Sequence, residues 1–449
     1  MARRHWGLVL LVLAGGLLRL LAMVGYGPAF WYPDSGRYIG ASEQHRIDFQ
    51  RPYGYSAFLT AFRLSVHRLS AVTLTQHLLG LALVVAVYAF CAHRGLPRWL
   101  AALAAAPLAL DATVIAVEHY LLADSLFTVL LAAAFGLLLW RQPAPGPVAA
   151  AASGALFAAA ALTRTVGLPL GLLGLAYLLV RRVGWRLPVA FAVAVVIPVG
   201  GYAIAYHQRY GTFATNQFGG HYLYGRVMTF ANCDKFHPSA RELCDDTPVD
   251  RRKNPSHYVW DADSPAGSYR DDPHADGRLQ TFARQAIMAQ PGAYLGAVLG
   301  ESVHFFLPGR WSSRVTQCPG TYEFPVPGQR CHPPYLARRG GFDGRPDRAR
   351  DVHRDGAAAR ILHDYQRFGY TPGPLLALCL LLVIAGLFRR GRIRWELALL
   401  GLTSLALLVG AVATSLFDYR YAIPALPLLL PAGALALQHL RRRLPEESA

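Results

Sequence analysis

The chain has 449 residues, of which 53% are hydrophobic and 16% charged, against about 25% charged residues in an ordinary soluble domain. That balance excludes a soluble globular domain and a disordered chain. The formal net charge of +17 keeps a basic nucleic-acid binder in view until the charges are placed along the chain.

Crossing a hydrocarbon core of about 30 Å takes roughly 20 apolar residues in a helix. Ten such windows are expected, near 7–26, 71–92, 99–117, 121–140, 148–163, 166–180, 187–206, 372–388, 395–415 and 421–440. The first starts basic and runs apolar, as a signal peptide would. Arg19 interrupts it, however, and no small-x-small site precedes Trp31, so an uncleaved helix is expected, with Arg19 snorkelling to the outer interface.

Basic residues then alternate between loops. With the N-terminus cytoplasmic, Arg3 and Arg4, Arg94 and Arg98, Arg141, Arg181, Arg182 and Arg186, Arg389 to Arg394, and Arg441 to Arg443 all fall inside, as the positive-inside tendency requires. The expectation is an all-α, multi-pass protein of the plasma (cytoplasmic) membrane with both termini cytoplasmic. Fifteen of the 44 basic residues are thereby a topology signal, and 21 more lie in segment 207–371 beside nearly as many acids. No nucleic-acid partner is implied.

The organisation that follows has three parts. Residues 1–206 form a transmembrane module with a first external loop at 27–70, residues 207–371 an inserted extracytoplasmic domain, and residues 372–449 a second transmembrane module with a basic cytoplasmic tail. The inserted domain is polar and lacks a strong period over most of its length, so a loop-rich unit is expected. The exception, 279–307, reads as two short amphipathic helices hinged at Pro291 and lying on the outer membrane surface.

Four of six cysteines, Cys233, Cys244, Cys318 and Cys331, fall in this domain, where an oxidising compartment favours disulfides. Of three possible pairings the sequence-local one is expected, Cys233 with Cys244 and Cys318 with Cys331, because each pair brackets a loop with little core of its own. Neither pair has the C-x2-C spacing of a zinc site.

The first external loop carries Asp34 and Ser35 directly after an aromatic cluster and Pro33. Asp34 reads either as a helix cap or as a general base for a hydroxyl acceptor at the membrane surface. Asp111, Glu118, His119 and Asp124 sit in an otherwise apolar stretch, where charged groups mark a polar cavity. Glu118 and His119 are adjacent and point to different helix faces, so they are no metal pair. Asp124 opens a helix, and capping and catalytic readings both stand. Arg164 and Arg420 end helices on the outer side; with Arg51 they either anchor at headgroups or clamp an anionic phosphate.

Taken in order, Asp34-Ser35, Arg51-Pro-Tyr-Gly-Tyr-Ser-Ala-Phe-Leu, Asp124-Ser125, Leu162-Thr-Arg164-Thr-Val-Gly-Leu and Arg420-Tyr421-Ala-Ile-Pro-Ala-Leu-Pro resemble the polytopic glycosyltransferases of the GT-C class. The resemblance is to their protein mannosyltransferase-like and aminoarabinose transferase-like branch and covers roughly 7–210 and 370–440. It implies hexosyl or pentosyl transfer from a polyprenyl-phosphate-linked sugar to an envelope glycan, lipid or protein acceptor, at an active site on the outer face. Asp34 is then the base, Asp124 a second acidic residue, and Arg164 and Arg420 the phosphate ligands; Arg51, Tyr421, Glu118 and His119 complete the expected substrate-binding set by their position alone. The chain departs from the family in having Asp34-Ser35 for Asp-Glu and Arg51-Pro52-Tyr53 for a turn with two prolines. No metal ligand is assigned, although a divalent metal is compatible with the class. The rival reading is a lipid or sugar transporter or flippase, against which stand the gathering of charges at outer helix ends and the lack of an inverted repeat.

Overall fold

A computed structural model describes residues 5–316, 319–325, 335–337, 342, 346–347 and 356–441. In the N-terminal module, α1 (Trp6–Tyr26) leads through a polar loop bearing α2 (Pro33–Gln44) and α3 (Gly54–Ser65) to α4 (Leu69–His93), α5 (Arg98–Leu110), α6 (Ala112–His119), α7 (Ala123–Trp140), α8 (Pro147–Thr163), α9 (Gly167–Val180) and α10 (Arg186–Tyr210). The inserted domain contributes α11 (Gly219–Val227), α12 (Pro255–Trp260), α13 (Asp276–Ala289), α14 (Pro291–Ser302) and α15 (Ala357–Tyr365), joined by short 3-10 turns. The chain returns through α16 (Gly373–Phe388), α17 (Arg394–Thr414), a 3-10 turn at Tyr419–Ala425 and α18 (Leu426–Arg441).

Among the described residues, six helical segments are long and apolar enough to cross a membrane: α1, α4, α7, α10, α17 and Tyr419–Arg441. The pair α5 and α6, bent by 47°, makes a seventh if counted as one span. The expected ten is therefore too many. The other three windows are α8, α9 and α16, of 17, 14 and 16 residues, which at about 1.5 Å per residue reach only about 21–26 Å.

The break between α5 and α6 is built by Asp111. Its Oδ1 accepts from the N–H groups of Thr113 (2.8 Å) and Val114 (3.3 Å), while Oδ2 accepts from the Thr371 N–H (2.7 Å) and hydroxyl (2.6 Å). One carboxylate thus caps α6 and ties the returning chain to it. Elsewhere the bundle packs through aromatic contacts, as where Phe135, Phe157 and Phe191 join α7, α8 and α10 edge to face at 4.9 and 5.5 Å.

Arg19 does not snorkel. It is 2% exposed and donates from Nε and Nη2 to the two oxygens of Glu118 (2.8 and 2.7 Å) and from Nη1 to the carbonyls of Gly15 and Ala109. A carboxylate and backbone carbonyls within reach replace the water that snorkelling would have supplied.

The inserted domain has a core of its own. Tyr224, Val227, Met228, Leu243, Tyr258, Leu279 and Phe282 are buried together, and the Cys233–Cys244 disulfide is formed as expected. The second expected pair, Cys318 with Cys331, lies outside the described residues. Within the 279–307 segment α13 and α14 meet at Gln290. Glu301 turns inward to a two-point ion pair with fully buried Arg226 (2.7 and 2.8 Å), and the Tyr294 hydroxyl docks α14 onto α17 through the Ala413 carbonyl.

The inserted domain closes over the first loop. Arg37 pairs with Asp271 at 3.0 Å, the Gln217 N–H donates to the Phe49 carbonyl at 2.8 Å, and backbone 30–31 pairs antiparallel with 335–337, which pairs with 346–347. Phe30 also bridges Tyr120 in parallel, with the Leu121 N–H donating to the Phe30 carbonyl at 3.0 Å. The segments that follow α1 and α6 therefore run side by side.

Candidate active site

Pro33 stands in the first turn of α2, where its missing N–H and fixed φ suit a helix start. The cap of this helix belongs to Ser35, not to Asp34: the Tyr32 N–H donates to Ser35 Oγ (3.0 Å), which itself donates to the Leu121 carbonyl (2.9 Å). Asp34 instead receives Arg51 Nη2 at 2.9 Å on both carboxylate oxygens. Arg51 is set in a turn by Asp48, whose Oδ1 accepts from the N–H groups of Gln50 and Arg51. The turn then presses on the end of α8, where a Cβ on Gly54 would lie 2.5 Å from the Leu162 carbonyl oxygen. Only glycine permits that approach, and it brings Arg51 to the side of the bundle where Arg164 emerges.

Asp124 is in the first turn of α7, yet its side chain caps nothing. Its Oδ1 takes Arg164 Nη1 in a short ion pair, and Oδ2 lies 3.6 Å from Arg420 Nη1. Asp418 fixes Arg420 from below, accepting its backbone N–H at 2.9 Å. Aromatic faces cover the guanidinium groups: Tyr322 lies 4.1 Å and Tyr421 5.2 Å from Arg420, Tyr421 also 5.8 Å from Arg164, and Tyr222 5.5 Å from Arg51. Such stacking holds a planar cation without neutralising it.

The two acid–arginine sets form one cluster. Tyr38 is buried between them, pushed up to about 12 by burial and by the carboxylates, with Arg51 and Arg164 opposing. Tyr222, raised by burial, feels Arg51, Asp34 and Tyr421 together. Burial works against the charges of Arg51 and Arg164, but Asp34 and Asp124 outweigh it and both stay firmly protonated. Burial pushes the Asp418 carboxyl up. The side chains of Arg51, Asp34 and Arg164 are 16, 18 and 24% exposed, while those of Asp124 and Arg420 are 4 and 9% exposed. The first three form the mouth and the other two the floor. Arg51 Nε is buried without a hydrogen-bond acceptor, and Arg420 Nε has Asp418 Oδ2 at 3.8 Å, outside hydrogen-bond reach; unmade bonds of buried donors cost free energy.

Asp34, Arg51, Asp124, Arg164, Arg420 and Tyr421 are thus brought together. Glu118 and His119 are not: both are buried inside the bundle and engage Arg19, His77 and the Tyr26 carbonyl. Sequence reasoning missed Tyr32, Tyr38, Tyr222, Tyr322 and Asp418. Tyr32 belongs to the aromatic cluster before Pro33, and Tyr38 follows one turn into α2; Tyr222 and Tyr322 come from the inserted domain, and no local pattern marks them. A separate group, His257, Asp261 and Asp263, has ligand atoms within 4.8 Å of one another and could coordinate a divalent cation. It lies on the inserted domain, with Asp263 also 3.2 Å from Lys253.

No family model matches the chain, and no curated protein matches it. Among solved structures the chain is similar to the archaeal oligosaccharyltransferase AglB from Archaeoglobus fulgidus, at 12% identity over 98% of this chain and 50% of that one, with a TM-score of 0.46. It is also similar to ArnT from Cupriavidus metallidurans in the apo state (15% identity, 98% of this chain and 78% of that one, TM-score 0.39). A third likeness is to a protein O-mannosyltransferase complex of S. cerevisiae (14% identity, 57% of this chain and 38% of that one, TM-score 0.35). The chain therefore spans half or less of the length of the AglB and yeast chains. Likeness of this degree concerns the course of the backbone and leaves the chemistry to the residues.

Proposed function

We propose that the chain is a membrane glycosyltransferase that moves a sugar from a polyprenyl-phosphate carrier to an acceptor hydroxyl on the extracytoplasmic side, with inversion. The observation that carries this reading is the cluster itself: three guanidinium groups and three carboxylates share one largely buried site, where Arg51 Nε has no hydrogen-bond acceptor and Arg420 Nε has Asp418 Oδ2 only at 3.8 Å. A phosphate oxygen is the acceptor that suits them, since guanidinium binds phosphate in a fork and keeps its charge. The arginine distribution along the loops supports cytoplasmic termini and an outward-facing site.

In this mechanism the donor phosphate draws Arg51 away from Asp34, which frees the carboxylate to take the acceptor proton. The acceptor oxygen then bonds to the anomeric carbon as the bond from that carbon to the phosphate oxygen breaks. The polyprenyl phosphate leaves with the electron pair, and Arg51, Arg164 and Arg420 neutralise the charge that develops on it. Asp124 holds Arg164 and Arg420 at one spacing. The apolar isoprenoid lies along the spans, held by buried area.

The test is transfer from purified polyprenyl-phosphate sugars by the reconstituted protein and by Asp34→Asn. The expected result is a loss of turnover of about 100-fold or more with donor binding retained. Full turnover in the variant, or no transfer by the wild type from any such donor, refutes the reading.

A further inference from the structure

At the end of the bundle opposite the arginine cluster, the last residues of α4, α7, α16 and α18 meet the start of α17 around a cavity of about 420 Å³. That lies within the roughly 300–1,000 Å³ of most ligand pockets. Arg94, Gln142, Arg392, Glu396, Gln438 and His439 supply its polar lining. The basic loops at this end support a cytoplasmic position. Trp140 and Trp395, each within two residues of a lining position, are partly exposed, as tryptophans are at the depth of lipid headgroups.

The chain fixes the walls by its own contacts. Arg94 Nη2 pairs with Glu396, 2% exposed, at 2.5 Å, and its Nη1 donates to the Leu139 carbonyl at 3.1 Å. The Gln438 amide donates to the Gly95 carbonyl at 2.7 Å, and Arg389 closes the end of α18 through the carbonyls of His439 and Leu440. Gly391 has a φ of 151° and lies against the His439 ring, where a Cβ would stand 3.1 Å from Cε1. That turn suits glycine, and the next residue in it is Arg392.

Packing leaves a surplus of charge and of donors unexplained. Arg94 and Glu396 answer one another, but Arg392 is exposed and has no partner among the described residues. Arg181 donates from Nη2 to the carbonyl of Pro143, another lining residue, at 3.1 Å, and keeps a buried Nε without an acceptor. His439 Nε2 is also buried and unpartnered. Three guanidinium groups thus stand against one carboxylate. Water could answer the unpaired atoms but not the two positive charges in excess, which attract an anion. We infer that this cavity binds a phosphate group, carried either by an anionic phospholipid of the inner leaflet or by a free phosphate compound. Guanidinium groups hold phosphate by charge-assisted hydrogen bonds, and His439 Nε2 can donate to a phosphate oxygen when it carries the ring hydrogen. Basic pockets between transmembrane helices on the cytoplasmic side commonly lodge anionic headgroups. This site stands apart from the outer one and does not depend on sugar transfer.

Two probes separate the sources. Phosphatidylglycerol retained by the full chain is counted by native mass spectrometry after release from nanodiscs that mix it with phosphatidylcholine, and inorganic phosphate bound to the delipidated chain in detergent is measured by equilibrium dialysis. The outer arginine cluster also attracts phosphate, so the decisive reading is the difference made by Arg392→Gln/His439→Gln. That variant is expected to retain one fewer bound molecule than the wild type, and Arg392→Gln alone to weaken the same binding about tenfold. Arg98→Gln, which removes an exposed charge from the same end without touching the cavity, should keep the wild-type count. A loss read with phosphatidylglycerol assigns the site to a lipid headgroup, and a loss read only with inorganic phosphate assigns it to a free phosphate compound. Unchanged counts with both probes, or an equal loss in Arg98→Gln, overturn the site. Should the double variant not fold, Arg392→Gln decides by itself, because that side chain is exposed and holds nothing in place. A protein that transfers no sugar would remove the transferase reading and leave these counts unaffected.

Discussion

Arg51 holds Asp34 through one nitrogen, Nη2, set 2.9 Å from each carboxylate oxygen, while its buried Nε has no acceptor. A fork-to-fork pair would have used both. The single-nitrogen grip leaves a donor in place for a second anion, so the resting pair is built to be shared and not to be locked. Arg51→Ala is therefore expected to raise the donor KM about tenfold to a hundredfold, given about 1.5–3 kcal/mol for a hydrogen bond to a charged group and 1.4 kcal/mol per factor of ten. Arg51→Lys, which keeps the charge without the fork, should recover part of this. Steady-state kinetics with a fixed acceptor checks it, and an unchanged KM in Arg51→Ala removes the residue from donor binding.

Arg164 and Arg420 reach the same carboxylate, that of Asp124, one on each oxygen. Residues sharing a partner couple by about 0.5–3 kcal/mol. The losses in donor affinity from Arg164→Ala and Arg420→Ala are thus expected not to add: the double variant should bind more tightly than the product of the single effects predicts. Asp124→Asn should weaken donor binding although it touches no phosphate. A double-mutant cycle on donor affinity measures this, and strict additivity would mean that Asp124 does not couple the two arginines.

Much of this site was legible in the chain because charged residues are costly in apolar sequence and few positions tolerate them. Asp34, Asp124, Arg164 and Arg420 stood out for that reason. Whether each acid was a cap or part of a site was not legible: the answer depended on Ser35 taking the cap of α2 and on arginines 17 and 40 residues away. The same cost also flagged Glu118 and His119, which sit inside the bundle against Arg19 and His77, away from the arginine cluster, with Glu118 lining a small internal cavity. The partner of Glu118 is 99 residues distant, and no periodicity reports that contact. The span count erred for a simpler reason, since windows of 14 to 17 apolar residues resemble longer ones until a helix is measured against the bilayer.

The Cys233–Cys244 bridge closes a short loop, 11 residues apart in sequence, on the rim of the inserted domain's core. Loop-closure entropy for a ring of this size is worth about 2–3 kcal/mol. Cys233→Ser should lower the unfolding midpoint of the inserted domain in a non-reducing buffer, and reduction of the wild type should produce a shift of the same size. Equal midpoints for oxidised and reduced protein would show that the core of Tyr224, Leu243 and Phe282 needs no bridge.

Arg19 and Glu118 form a pair whose side chains are 3 and 5% exposed, far from bulk water, with the arginine's remaining donors on the carbonyls of Gly15, Leu108 and Ala109. Breaking such a pair from one side leaves a buried charge without a partner, at a cost of about 3–5 kcal/mol, whereas replacing both partners by groups of similar volume is often near neutral. Arg19→Met should therefore destabilise strongly and Arg19→Met/Glu118→Gln much less. The pairing predicts an order that a snorkelling arginine would reverse, because at the membrane surface Arg19→Met would cost little and Glu118 would be indifferent to it. Chemical or thermal unfolding of the three proteins in one detergent separates the cases. A double variant as unstable as Arg19→Met would place the cost in the three lost carbonyl contacts and not in the stranded carboxylate.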